Sequence, residues 1–142
     1  CLEAYVGGNA WRDHLRTIAP KDSAAVVRAG GDPAALLPEH VVEAAREGDV
    51  WANEVFGTWL DDLAQGIAGI VMMLEPRRVV LGTIAVAAGE ALCFAPLRTR
   101  LSKRLWPQQA ERLEVVPAAL GDALPERAGL AVALQRAGET AR

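Results

Sequence analysis

Cysteine is scarce in this chain: Cys1 and Cys93 are the only two, too few for the disulfide framework that staples a small secreted domain. Positive charge is not in surplus either. A formal net charge of −3 argues against a broad nucleic-acid or anionic-membrane surface, since either needs clustered cations. No apolar run reaches the length of a membrane span. Internal repeats and low-complexity segments are absent as well. The expectation is a soluble, cytoplasmic protein with no nucleic-acid partner and no membrane partner. Before Cys1 there is no methionine, no charged leader and no signal-peptide pattern, so the chain is expected to be a piece of something longer.

What the chain has is apolar residues, 51% of 142, enough for one sizeable core and too few residues for two ordinary domains. A single domain over residues 1–142 is expected. The organising stretch runs from Gly48 to Gly82. Trp51, Val55, Trp59, Leu63, Ile67, Ile70 and Leu74 recur three or four apart and form one helix face, which Phe56, Leu60 and Val71 widen. Asp49 is placed to cap this helix, and Pro76 ends it by disfavouring helical geometry at Glu75. Val79-Val80-Leu81 then reads as a strand covered on both faces, stopping at Gly82, where a chain turns sharply or approaches a ligand closely.

Upstream, Leu2, Tyr5 and Val6 share a face, Gly7-Gly8 breaks the segment, and Trp11, Leu15 and Ile18 resume it as far as Pro20. Asp22 or Ser23 can cap a short helix over residues 24–29, which Gly30-Gly31 stops. Asp32-Pro33 suits a further short helix through Leu37, and Pro38 starts another through Arg46. Downstream, Ala87 to Leu105 reads as a helix that Pro96 should kink and Pro107 should end. Arg98, Arg100, Lys103 and Arg104 read as its solvated face, with Leu97, Leu101 and Leu105 opposite. Leu113 to Val116 is a second strand, Gly121-Asp122 a turn, and Leu124 to Ala137 a last helix. Two short strands make a marginal sheet, so the apolar run at Val79 to Leu81 implies neighbouring strands from outside this sequence.

Five pieces in order carry a family resemblance. They are Cys1-Leu2-Glu3-Ala4-Tyr5, Gly48-Asp49 opening the long helix, Leu74-Glu75-Pro76 leading into Val79-Val80-Leu81-Gly82, then Val116-Pro117-Ala118 and Leu120-Gly121-Asp122. Together they resemble the C-terminal part of the ROK family, which contains bacterial sugar kinases and sugar-responsive repressors; within it Gly82-Thr83-Ile84-Ala85 and Ala88-Gly89-Glu90 resemble the glycine-rich nucleotide loop of the glucokinases. The resemblance runs from Cys1 to about Leu134. It implies an α/β fold, the helix-rich C-terminal lobe of an actin-like, ribonuclease-H-like sugar kinase, with two strands of a larger sheet. The implied activity is that of an ATP-dependent hexose kinase, with glucose and Mg²⁺-ATP as substrates, a missing N-terminal half and a homo-oligomeric parent. The alternative is the effector lobe of a sugar-responsive repressor, which needs a helix-turn-helix upstream. A bare packing or dimerisation module is a third reading, for the fragment alone.

Residue by residue, the resemblance places Cys1 as the last zinc cysteine of a site whose other ligands lie upstream. A lone thiolate cannot complete the tetrahedral site of a structural Zn²⁺. Glu3 corresponds to a glutamate that accepts sugar hydroxyls, as an ionised carboxylate can; on residue type alone it reads as an exposed helix glutamate. Gly82 and Thr83 fall where the family contacts the nucleotide, Thr83 standing where a second glycine is common. The general base and first phosphate loop are expected upstream, so no catalytic residue is assigned, and the chain alone is expected to be inactive. His14 and His40 have no ligand partner four residues on and read as surface or ordinary core histidines. Gly57, Gly66 and Gly69 each cost the long helix about 1 kcal/mol against alanine, offset either by a closely packed helix or by proximity to adenine.

Overall fold

The computed structural model describes residues 1–119 and 123–140; Leu120, Gly121 and Asp122, and with them the expected turn and the last family motif, lie outside the described residues. Its centre is α5, Val50–Leu74. The Asp49 carboxylate accepts from the Ala52 N–H at 2.7 Å, satisfying one of the free donors of the first turn. At the other end Glu75 turns into the left-handed region, φ 46°, ahead of Pro76. Val55, Phe56, Trp59, Leu60, Leu63, Ile67 and Val71 are buried. The expected face is wrong at its end, however. Ile70 is 45% and Leu74 70% exposed, whereas Ile67, Ala68 and Val71 of the same turns are buried, so the buried face here runs through those three and leaves Ile70 and Leu74 off it.

Those covering helices are α1 (Glu3–Val6), α4 (Pro38–Arg46) and α7 (Ala95–Ser102). Between α1 and α4 come α2 (Gly8–Ile18), α3 (Ala24–Arg28) and a single 3₁₀ turn at Pro33–Ala35, in place of the helix expected through Leu37. Ser23 caps α3 and Asp32 the 3₁₀ turn, through bonds from Val26 N and Ala34 N. His40 is neither a bare surface group nor a core filler: its Nδ1 accepts from Leu37 N at 3.3 Å and closes the start of α4. Trp11, from α2, meets Phe56 and Trp59 with ring centroids 5.9 and 5.5 Å away, the tilted and edge-on geometry that aromatic quadrupoles favour.

Strand β1 (Arg78–Leu81) pairs in parallel with β2 (Glu114–Pro117), in the register Arg78 opposite Glu114 and Leu81 opposite Pro117. The connection runs through α6 (Ile84–Gly89), a π-helical turn at Glu90–Phe94, α7 and α8 (Pro107–Arg112). Two expectations fail here. The helix from Ala87 breaks at Gly89, φ +77°, and not at Pro96, which sits in the first turn of α7. The π turn widens the backbone where the Pro96 ring would otherwise meet the carbonyl of Leu92. Pro107 begins α8 rather than merely ending its predecessor, as proline suits a first helical turn. A last helix, α9, spans Leu124–Thr140.

Among the described residues the strand is covered on one face only. Val79 and Leu81 pack on the core, while Val80 is 57% exposed, so within the described residues β1 alternates like a half-buried strand. Its two flanks also differ. Glu114 N donates to Arg77 O and Ala118 N to Leu81 O, so the intervening Val115 carbonyl points away from β1. Arg98 donates to that carbonyl at 2.7 and 3.2 Å and closes the outer edge of β2. The basic cluster is therefore not simply a solvated face: Arg100 and Arg104 both reach Asp61 of α5, at 3.2 and 3.0 Å.

Candidate functional site

In open α/β sheets ligands sit beyond the carboxyl ends of the strands. At that end of β1 the chain passes through Gly82 into Thr83, whose backbone adopts φ 48°, ψ −120°. This region is open to glycine and unfavourable for a β-branched residue. The strain supplies a physical reason for the glycine common at this position in the resembling family. Thr83 is held there by its own helix, since the Ala87 N–H donates to the Thr83 carbonyl at 2.9 Å.

Thr83 and Ile84 form one side of an open cleft of about 310 Å³, completed by Gly8, Asn9 and Arg12 from the start of α2 and by Leu37, Pro38 and Glu39 from the start of α4. The Arg12 guanidinium is held by Asp13 Oδ1 at 2.9 Å and Asn9 Oδ1 at 3.1 Å, which fixes a cation at the mouth. The beginnings of α2 and α4 add the positive ends of two helix dipoles. The arrangement can take a planar apolar group against Leu37, Pro38 and Ile84 and an anion near Arg12. None of Asn9, Arg12 and Leu37 to Glu39 is identifiable as a site residue from sequence; the one signal is Pro38 at a helix start. A larger cleft, about 610 Å³, lies at the other end of the sheet among Val71, Glu75, Pro76, Arg77, Gln109 and Arg112, and none of the expected site residues Cys1, Glu3, Gly82 and Thr83 lines it.

Glu3 does not line the Thr83 cleft. It sits exposed on α1, its carboxylate folded over Gly7, where any Cβ would collide with it. The end of α1 is anchored by Trp59, whose Nε1–H donates to the Val6 carbonyl at 3.2 Å. Cys1 is exposed, and among the described residues no three His, Cys, Asp or Glu side chains gather as metal ligands. One thiolate does not fit a structural zinc, so this chain's described residues do not hold one. Cys93 is buried, and burial, with Glu90 adding to it, pushes its thiol up to about 11, which keeps it neutral and unreactive. The glycines of α5 do not reach the cleft. Gly66 takes the Leu2 side chain, Gly57 faces Arg100, and Gly69 meets nothing within 4 Å.

Comparisons with known proteins bear on the family and the fold. The glucokinase of Thermotoga maritima is 34% identical over 121 residues, a match covering 84% of this chain and 38% of that protein. The chain thus spans well under half the length of the relative it matches. Among solved structures, a ROK family glucokinase from Streptomyces griseus, in complex with glucose and AMPPNP, superposes with a TM-score of 0.72 at 23% identity, covering 87% of this chain and 41% of that one. A ROK family transcriptional regulator, a homolog of the E. coli MLC protein, superposes at 0.60 with 21% identity, covering 82% and 28%. These likenesses bear out the expected fold, helix-rich α/β with two strands of a sheet. The model of the ROK family matches residues 1–136, and the chain belongs to that family.

Proposed function

We propose that this chain is the C-terminal part of an ATP-dependent hexose kinase directed to glucose, and that the cleft at Thr83 is its nucleotide site. The observation that carries the reading is the cleft itself: a strand end, a glycine-type turn and two helix starts converge on one opening. The likeness to a glucokinase of known sequence, and to a glucokinase structure holding glucose and AMPPNP, supports the same substrates here. In this reading Gly82 and Thr83 approach the ribose and phosphates with backbone N–H groups and the Thr83 hydroxyl. Arg12 offsets phosphate charge, and Leu37, Pro38 and Ile84 bound the base. Mg²⁺ enters with ATP. Glu3 accepts a sugar hydroxyl, and the base that deprotonates the attacking hydroxyl comes from outside this chain. Neutralising that carboxylate as Glu3→Gln in the complete kinase should therefore weaken glucose binding by about 1.5–3 kcal/mol and leave ATP binding unchanged, as read by calorimetric titration. Equal loss of both, or no loss of glucose affinity, would remove Glu3 from the site.

The second reading, an effector lobe of a sugar-responsive repressor, is favoured by the likeness to the transcriptional regulator. ADP release by the complete protein with glucose and Mg²⁺-ATP separates the two. Saturable turnover supports the kinase, and sugar binding without turnover supports the repressor.

A further inference from the structure

Helix α6 carries Thr83 and Ile84 at its start and is only Ile84–Gly89 long. Such a helix cannot hold its own position by propensity. Its end is unusual too: Gly89 at φ +77° diverts the chain into the π turn, so the carbonyls of its last turn need partners from elsewhere. The Ala87 carbonyl finds one in Arg46, whose Nη2 donates to it across 41 positions of sequence. The same Nη2 lies 3.9 Å from where a Gly89 Cβ would stand, which places the guanidinium against the end of α6. No carboxylate among the described residues competes for Arg46.

Two relays meet at Ala87. Its carbonyl accepts from Arg46, and its N–H donates to the strained Thr83 at 2.9 Å. Arg46 is also the last residue of α4, whose first residues, Pro38 and Glu39, form the facing wall of the cleft. One side chain therefore ties together the far ends of the two helices whose near ends bound the opening. Strain of the Thr83 kind persists only where its surroundings over-determine it, and this tie is one of those determinants.

We infer that Arg46 is a positioning residue for the nucleotide: by holding Ala87, and through it Thr83, it fixes the cleft between α4 and α6 at the width and backbone conformation that nucleotide binding uses. The inference rests on the nucleotide reading of the cleft. It is tested on the complete kinase with Arg46→Met, which keeps the aliphatic stem, and Arg46→Lys, which restores charge and a donor. Arg46→Met should raise the KM for Mg²⁺-ATP about tenfold, the size of one lost charge-assisted hydrogen bond, with kcat and the glucose KM within about twofold. Arg46→Lys should recover most of the loss, and AMPPNP affinity measured directly should follow the same order. Backbone amide exchange at Ala87 should quicken in Arg46→Met alone. An unchanged ATP KM in Arg46→Met overturns the inference while leaving the nucleotide reading intact. So does a parallel rise of both KM values with a fall in Tm, which would mark a merely structural tie. A wild-type enzyme that binds no AMPPNP overturns the nucleotide reading, and the inference with it.

Discussion

Trp59, midway along α5, is 5% exposed; Val80, midway along β1, is 57% exposed. Both belong to apolar patterns in the sequence, Trp59 to a periodic helix face and Val80 to a short continuous run, and the difference lies in where their partners come from. A helix presents one face, and here α1, α4 and α7 cover it from within the chain. A central strand needs neighbours on both edges and layers on both faces. Among the described residues β1 has β2 on one edge and core on one face only. An apolar stripe on a helix can be satisfied by nearby sequence, whereas an apolar strand reports on the whole sheet to which it belongs.

The contrast is broken most severely on the helical side. Phe56→Ala removes the ring that meets Trp11 and Trp59, and should cost about 3–5 kcal/mol of unfolding free energy in a denaturant titration. A cost near zero would mean that the helical core does not carry the fold. A smaller effect, about 1–2 kcal/mol, is expected from Arg98→Ala, which strips the cap from the Val115 carbonyl and opens the second edge of the sheet. The same variant should associate more readily than wild type in sedimentation. The smallest effect on stability should come from Val80→Lys, within about 0.5 kcal/mol because the side chain is exposed. It sharpens the contrast in another way: a lysine on the bare edge strand should suppress self-association of the isolated chain. If the wild-type chain already stays monomeric at high concentration and binds no hydrophobic dye, the edge of β1 recruits nothing.

The parts legible in sequence were those decided over a few neighbouring residues. The caps at Asp49, Ser23 and Asp32, the end of α5 before Pro76, and both strands to within a residue follow from local chemistry. Pro107 was misread because proline both ends one helix and begins the next. The break at Gly89 was missed because a glycine signals its conformation less loudly than Pro96 does. The site was less legible than the fold. Gly82 and Thr83 stood out at a strand end, but the strain at Thr83 is a backbone angle that no residue type announces. Asn9, Arg12 and Leu37 to Glu39 join Thr83 only through packing of segments far apart in sequence. The pairing of Arg100 and Arg104 with Asp61 was hidden for the same reason, since helical spacing shows which residues share a face but not what that face meets.

The parallel pairing of β1 with β2 has a consequence for the order of folding. Arg78 and its partner Glu114 are 36 positions apart, and no tight turn can join two parallel strands. Closing so long a loop is an entropic cost met before any ladder bond rewards it. The turns of α5 gain their hydrogen bonds four residues at a time. The turns of the helices therefore form before the strands meet, whereas the strand pairing, like the Trp59 bond to Val6 across 53 positions, waits for a long loop to close. Until then both strands are uncovered at once, and that interval, more than the finished fold, is when the chain is most exposed to mispairing during synthesis.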